Sequence, residues 1–96
     1  MRLSHQEIAI IKSTISNVLI DSKIILFGSR VYDDKRGGDI DLLIQTNQNV
    51  DIQRQIKILA EMEVKGIERK VDLLFQTPFT KEQSIFKTAL KEGIVL

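Results

Sequence analysis

The sequence predicts an α/β fold of α+β-like character, a small mixed β-sheet with helices packed on it. Three observations predict it. Two capping-box tetrapeptides each precede apolar residues at helical spacing, three short apolar runs are the length of buried strands, and glycine or polar breaks separate them. The resulting order is helix, strand, strand, helix, strand, helix.

Ser4-His5-Gln6-Glu7 fits a capping box, flanked by Leu3 and Ile8 as a hydrophobic staple, so a helix starts there. Ile8, Ile11, Ile15, Val18 and Leu19 recur at three- and four-residue steps and form its buried stripe, through about residue 20. Asp21-Ser22 ends it. Ile24 to Phe27 is a continuous, partly β-branched run that stops at Gly28, and reads as the first strand. From Arg30 to Gly38 the chain is polar and closes on Gly37-Gly38, which predicts a loop with room for one helical turn after Ser29. Asp39 to Gln45 is the second strand.

Asp51 caps a helix with Ile52, Ile56, Leu59 and Met62 on one face and Gly66 as its stop. Val71 to Phe75 is the third strand. Thr80-Lys81-Glu82-Gln83 is the second capping box, and Ile85, Phe86, Ala89 and Leu90 stripe a last helix ending at Gly93. Ile94-Val95-Leu96 then adds a short edge strand.

At 96 residues the expectation is one domain, 1–96, near the lower size limit for a self-sufficient core. Hydrophobic residues at 43%, charged residues at 28% and a single proline indicate an ordered globular chain, with no internal repeat. The absence of cysteine excludes disulfides and thiolate metal sites, and one histidine excludes a histidine-rich zinc cluster. A formal charge of +1 makes no general case for nucleic acid as a direct partner. The amino terminus is interrupted by Glu7 and Lys12 and is not expected to be a signal peptide. No apolar stretch approaches the roughly 18 residues of a spanning helix, so a soluble, cytoplasmic protein without a membrane partner is expected.

The informative stretch is Leu26 to Gln45, LFGSRVYDDKRGGDIDLLIQ. Strand alternation puts Asp39, Asp41 and Leu43 on one side and Ile40, Leu42 and Ile44 on the other, the apolar side meeting the helices. The two Asp Cα atoms are then ~6.6 Å apart, two rises of the strand. The third strand repeats the theme: Val71, Leu73 and Phe75 face one way and Asp72 the other. Three carboxylates on one sheet surface repel one another unless a cation holds them ionised. Oxygen-only ligands suit Mg²⁺, which takes one or two protein carboxylates and completes its shell with water and phosphate. Gly28 removes the Cβ that would keep a phosphate from the backbone, Ser29 adds a hydroxyl donor, and Arg30 offers a charged fork to the same phosphates.

An apolar strand, Gly28-Ser29, a spacer of nine residues, Asp39-Ile40-Asp41 and a later lone Asp72 together resemble the polymerase-beta-type nucleotidyltransferase superfamily. Within it, the small size and the FGSR tetrapeptide resemble the minimal nucleotidyltransferases, MntA-type antitoxins commonly encoded beside a HEPN-domain partner. The likeness covers Ile24 through the third strand and extends to ALKEGIVL. It implies a two-metal transfer of a nucleoside monophosphate from a nucleoside triphosphate, ATP in these relatives, to an acceptor hydroxyl. Carried over, Asp39, Asp41 and Asp72 are the catalytic and metal residues for two Mg²⁺ ions, Asp72 also helping to deprotonate the acceptor. Gly28, Ser29 and Arg30 bind the nucleotide. The loop departs from many antitoxin relatives, which carry a basic, glycine-containing stretch after Gly-Ser and a spacer one residue longer.

The implied function is transfer of AMP to a tyrosine of a HEPN ribonuclease toxin, silencing it, with an oligomer formed with that partner as an option. Two alternatives stand beside it: a non-catalytic antitoxin that neutralises by contact, and a small-molecule transferase resembling the aminoglycoside-modifying relatives. Arg30 reads equally as a phosphate ligand or as an ion-pair partner of Asp33 or Asp34. Lys35, Arg36, Asp33 and Asp34 read as a solvated loop. Tyr32 is a candidate for self-modification, set against a ring packed on the sheet edge. His5, in the first turn of a helix, reads as non-catalytic, and Phe27, Phe75 and Phe86 read as core.

Overall fold

A computed structural model of the chain describes residues 3–28 and 39–96. Helix α1 is His5–Val18, and its start is fixed by local chemistry: Ser4 Oγ accepts from the Glu7 N–H and Glu7 Oε1 accepts from the Ser4 N–H, both at 3.0 Å. The predicted capping box is formed. Leu3 and Ile8 both join the core beside Ile11, Ile15 and Leu19, so the staple and the stripe also hold.

The strands are β1 (Lys23–Phe27), β2 (Ile40–Gln45), β3 (Val71–Gln76) and β4 (Ile94–Val95), arranged β3-β2-β1-β4. β1 pairs antiparallel with β2 and with β4, whereas β2 pairs parallel with β3. A parallel pair needs a long crossover, and helix α2 (Ile52–Lys65) supplies it. The sheet is therefore mixed, as expected.

Both of its faces are covered. Ile24, Leu26, Ile40, Leu42 and Ile44 pack with α1 and α2, while Ile25, Phe27 and Leu43 pack with Phe86 and Ala89 of helix α3 (Ser84–Glu92). The apolar side meets α1 and α2 as expected, and α3 additionally covers part of the side that carries the acids. Coverage from both sides explains why β2 reads Ile-Asp-Leu-Leu-Ile rather than strictly alternating. Phe27 and Phe86 are buried and Phe75 half-buried, so all three belong to the core.

Helix α2 starts where predicted, the Asp51 carboxylate accepting from the Arg54 N–H at 2.9 Å, and stops at Gly66, whose φ of 119° suits glycine. Its buried stripe differs. Of the predicted stripe Met62 faces the core as expected, joined by Ile58, while Ile52 and Ile56 are 66% and 58% exposed and Leu59 is also exposed. At 3.6 residues per turn Ile56 lies about 160° round from Ile58, so one helix cannot bury both. Contact with α1, including a 3.2 Å hydrogen bond from Lys65 Nζ to Thr14 Oγ1, selects the Ile58 side.

The second capping box does not form. Helix α3 has Gln83 at its N-cap with no side-chain cap bond. Pro78 instead sits in a turn in which the Thr80 N–H donates to the Thr77 carbonyl at 3.3 Å, and Thr80 Oγ1 both accepts from the Thr77 N–H and donates to that carbonyl at 3.0 Å. The hydroxyl predicted to cap the helix is engaged in closing this turn. Only Phe86 and Ala89 of the predicted α3 stripe are buried, because α3 touches the sheet along a narrow seam and leaves Ile85 and Leu90 at its margin. Gly93 ends the helix as expected and β4 follows, extended by the Leu96 N–H bonding the Ile24 carbonyl at 2.9 Å. Among the described residues no helix is long and apolar enough to cross a membrane.

Candidate functional site

Three strand ends meet where the acids lie. β1 runs out at Phe27, which is the cross-strand partner of Asp41, and Asp41 is in turn the register partner of Asp72 on β3. In a parallel pair with neighbouring strands about 4.8 Å apart, register partners stand side by side on the same face. Asp39 immediately precedes β2, two residues before Asp41 at the same end of the sheet, and is exposed. Asp41 is half-buried and the Asp72 side chain is 46% exposed.

The far end of the same ladder shows how close such partners come. Gln45 and Gln76 occupy the same face four residues on, and their side chains hydrogen-bond at 2.8 Å. Asp41 and Asp72 are the equivalent pair at the near end. Two amides bond each other directly, but two carboxylates only accept, so the same spacing produces repulsion unless a cation or proton intervenes. Lys70 supplies one positive charge, its Nζ 3.8 Å from Asp72 Oδ1.

Gly28 closes this end of the sheet. Its φ of +77° is left-handed, and a Cβ at this position would collide with the Asp41 carboxylate, whose Cγ lies 3.2 Å from where that Cβ would be. The glycine that the sequence assigns to phosphate approach therefore also makes room for an acid.

Of the predicted site residues, Asp41, Asp72 and Gly28 are brought together at one end of one sheet face, and Asp39 lies at the same end just outside β2. Ser29 and Arg30 lie outside the described residues, as do Tyr32, Asp33, Asp34, Lys35, Arg36 and the helical turn expected after Ser29. His5 is exposed on α1, which packs on the opposite face of the sheet from the acids. Among the described residues no group of three or more His, Cys, Asp or Glu side chains is placed to hold a metal ion, so Asp39, Asp41 and Asp72 do not converge on one ion position here. The donor set that is present, carboxylate oxygens paired across a parallel ladder, fits Mg²⁺, which needs only one or two protein carboxylates.

Sequence reasoning missed Lys70 and the Gln45–Gln76 bond. A signal for the latter was present. Asp41-Leu42-Leu43-Ile44-Gln45 and Asp72-Leu73-Leu74-Phe75-Gln76 are nearly the same pentapeptide, and they pair exactly in register, Asp to Asp and Gln to Gln.

The family model described as Polymerase beta, Nucleotidyltransferase matches residues 7–96. No curated protein matches the chain.

Proposed function

The chain belongs to the polymerase beta nucleotidyltransferase family, and from that premise we propose that it is a Mg²⁺-dependent enzyme transferring AMP from ATP to a hydroxyl of a partner protein. The observation that carries this reading is the in-register pairing of Asp41 with Asp72 beside the Gly28 turn. Like charges so placed are costly in themselves and useful where cations bind.

Asp39, Asp41 and Asp72 would hold two Mg²⁺ ions, which when bound stabilise the attacking and leaving oxygens of an in-line displacement. Gly28, Ser29 and Arg30 bind the triphosphate and hold its α-phosphorus in line with the acceptor. The acceptor oxygen bonds to that phosphorus, the bond to the bridging oxygen breaks, and pyrophosphate leaves with the electron pair. The hydroxyl proton passes to the Asp72 carboxylate.

β3 is the edge strand of the described sheet, and Asp72 is half-exposed on it. That openness supports a macromolecular acceptor approaching from the sheet edge. The FGSR tetrapeptide and the likeness to minimal nucleotidyltransferases support an antitoxin role, with a tyrosine of a HEPN-domain toxin as acceptor.

Intact-mass spectrometry tests this. The protein is incubated with ATP, Mg²⁺ and the product of its adjacent gene, alongside an Asp39→Asn/Asp41→Asn double variant. A gain of one or more AMP units on the partner, absent with the variant, is expected. A stable complex with no mass gain would instead establish neutralisation by contact.

A further inference from the structure

The main chain of Lys70 is held by its neighbours while its side chain stays largely exposed. Its carbonyl accepts from the N–H of Ile40, the residue between Asp39 and Asp41, at 2.9 Å. The residue before it, Arg69, pairs with Glu7 at 3.5 Å and ties the turn ahead of β3 to the start of α1. The main chain at Lys70 is thereby fixed against the acid-bearing end of β2. Two residues before Asp72, its side chain leaves the strand on the face that carries Asp72 and Asp41. It ends 3.8 Å from Asp72 Oδ1 and is 71% exposed.

We propose that Lys70 is a positioning residue, the resident counter-cation of Asp72, and that it competes with a divalent ion for that carboxylate. The inference rests on the reading of Asp41 and Asp72 as metal ligands. An ammonium is a compact point charge on a flexible stem, and a metal ion uses the same carboxylate oxygens. With Lys70 in place, the repulsion between the paired acids is offset in the metal-free protein. When an ion arrives, the ammonium is the like-charged group beside it, and its exposed side chain swings into solvent without displacing packed atoms. The lysine thus sets how readily the acceptor-side carboxylate is given up to metal.

The test is isothermal titration of the full chain with Mn²⁺ in the absence of nucleotide, comparing wild type, Lys70→Met and Lys70→Arg, with thermal melts of each before and after metal. Lys70→Met is expected to bind Mn²⁺ about two- to fivefold more tightly, the range set by an exposed ion pair. Its metal-free Tm should be lower than that of wild type and its rise on adding Mn²⁺ larger, and Lys70→Arg should restore both toward wild type. Unchanged or weakened affinity in Lys70→Met, with wild type binding Mn²⁺, overturns this inference alone. Failure of the wild-type protein to bind Mn²⁺ overturns the reading of the acids as ligands and this inference with it.

Discussion

The carboxylate of Asp41 occupies the space in which a Cβ on Gly28 would stand. Backbone conformation and acid placement are therefore coupled at one point, the turn where β1 hands over to the residues before β2. Gly28→Ala should cost on the order of 1–2 kcal/mol for the left-handed φ, plus the displacement of Asp41. Urea unfolding measures the first effect. Metal titration measures the second, and a normal metal affinity in a folded Gly28→Ala protein would show that the carboxylate has another acceptable position.

Asp72→Asn should separate stability from activity. Removing one of two like charges in register relieves about 0.2–1 kcal/mol of repulsion in metal-free protein but also removes the exposed ion pair with Lys70, of about the same size, so stability should hold. Transfer should fall on the order of a hundredfold or more, because each ~1.4 kcal/mol of lost charge stabilisation is tenfold in rate. Denaturant melts and a nucleotide-transfer assay on the same preparation give both numbers. A variant that is strongly destabilised would place Asp72 in the structural framework instead.

Divalent metal should stabilise the wild-type fold. At one hundred times its Kd a single bound ion adds about 2.7 kcal/mol. The increment should vanish in Asp39→Asn/Asp41→Asn and on adding EDTA, as read by thermal melts with and without Mg²⁺.

The rotation of α2 is equally testable. Ile58→Ala should cost about 2–5 kcal/mol, because Ile58 is fully buried, and Ile56→Ala should stay within about 0.5 kcal/mol. Equal losses would mean that the helix presents the face its spacing first suggests.

Ser4→Ala should cost about 0.5–2 kcal/mol, since its hydroxyl caps α1, whereas Thr80→Ala should leave the helix content of α3 unchanged. Circular dichroism and urea melts distinguish the two. A loss of helix in Thr80→Ala would restore the capping role that its sequence context suggests.

Features that depend on residues a few positions apart were legible. The Ser4–Glu7 capping box, the Asp51 cap, the Gly66 and Gly93 stops, the three strands and the split of Asp41 from Ile40 and Leu42 across the sheet all follow from local hydrogen bonding and from the two-residue period of a strand. The family likeness was legible for the same reason, because Gly28, Asp39, Asp41 and Asp72 are punctuation of strand ends.

What the tertiary structure alone decided involves partners far apart in the chain. Thr80 serves a turn because Pro78 and Thr77 bend back onto it, and α2 turns Ile58 inward because α1 lies beside it. Asp41 and Asp72 become a pair because β2 and β3 align in parallel register, a choice between strands 31 residues apart that is sealed at the other end by Gln45 and Gln76. Local periodicity determines which side chains share a face. Which faces meet, and in what register, is determined by burial summed over the whole sheet, and that sum exists only once the chain has closed on itself.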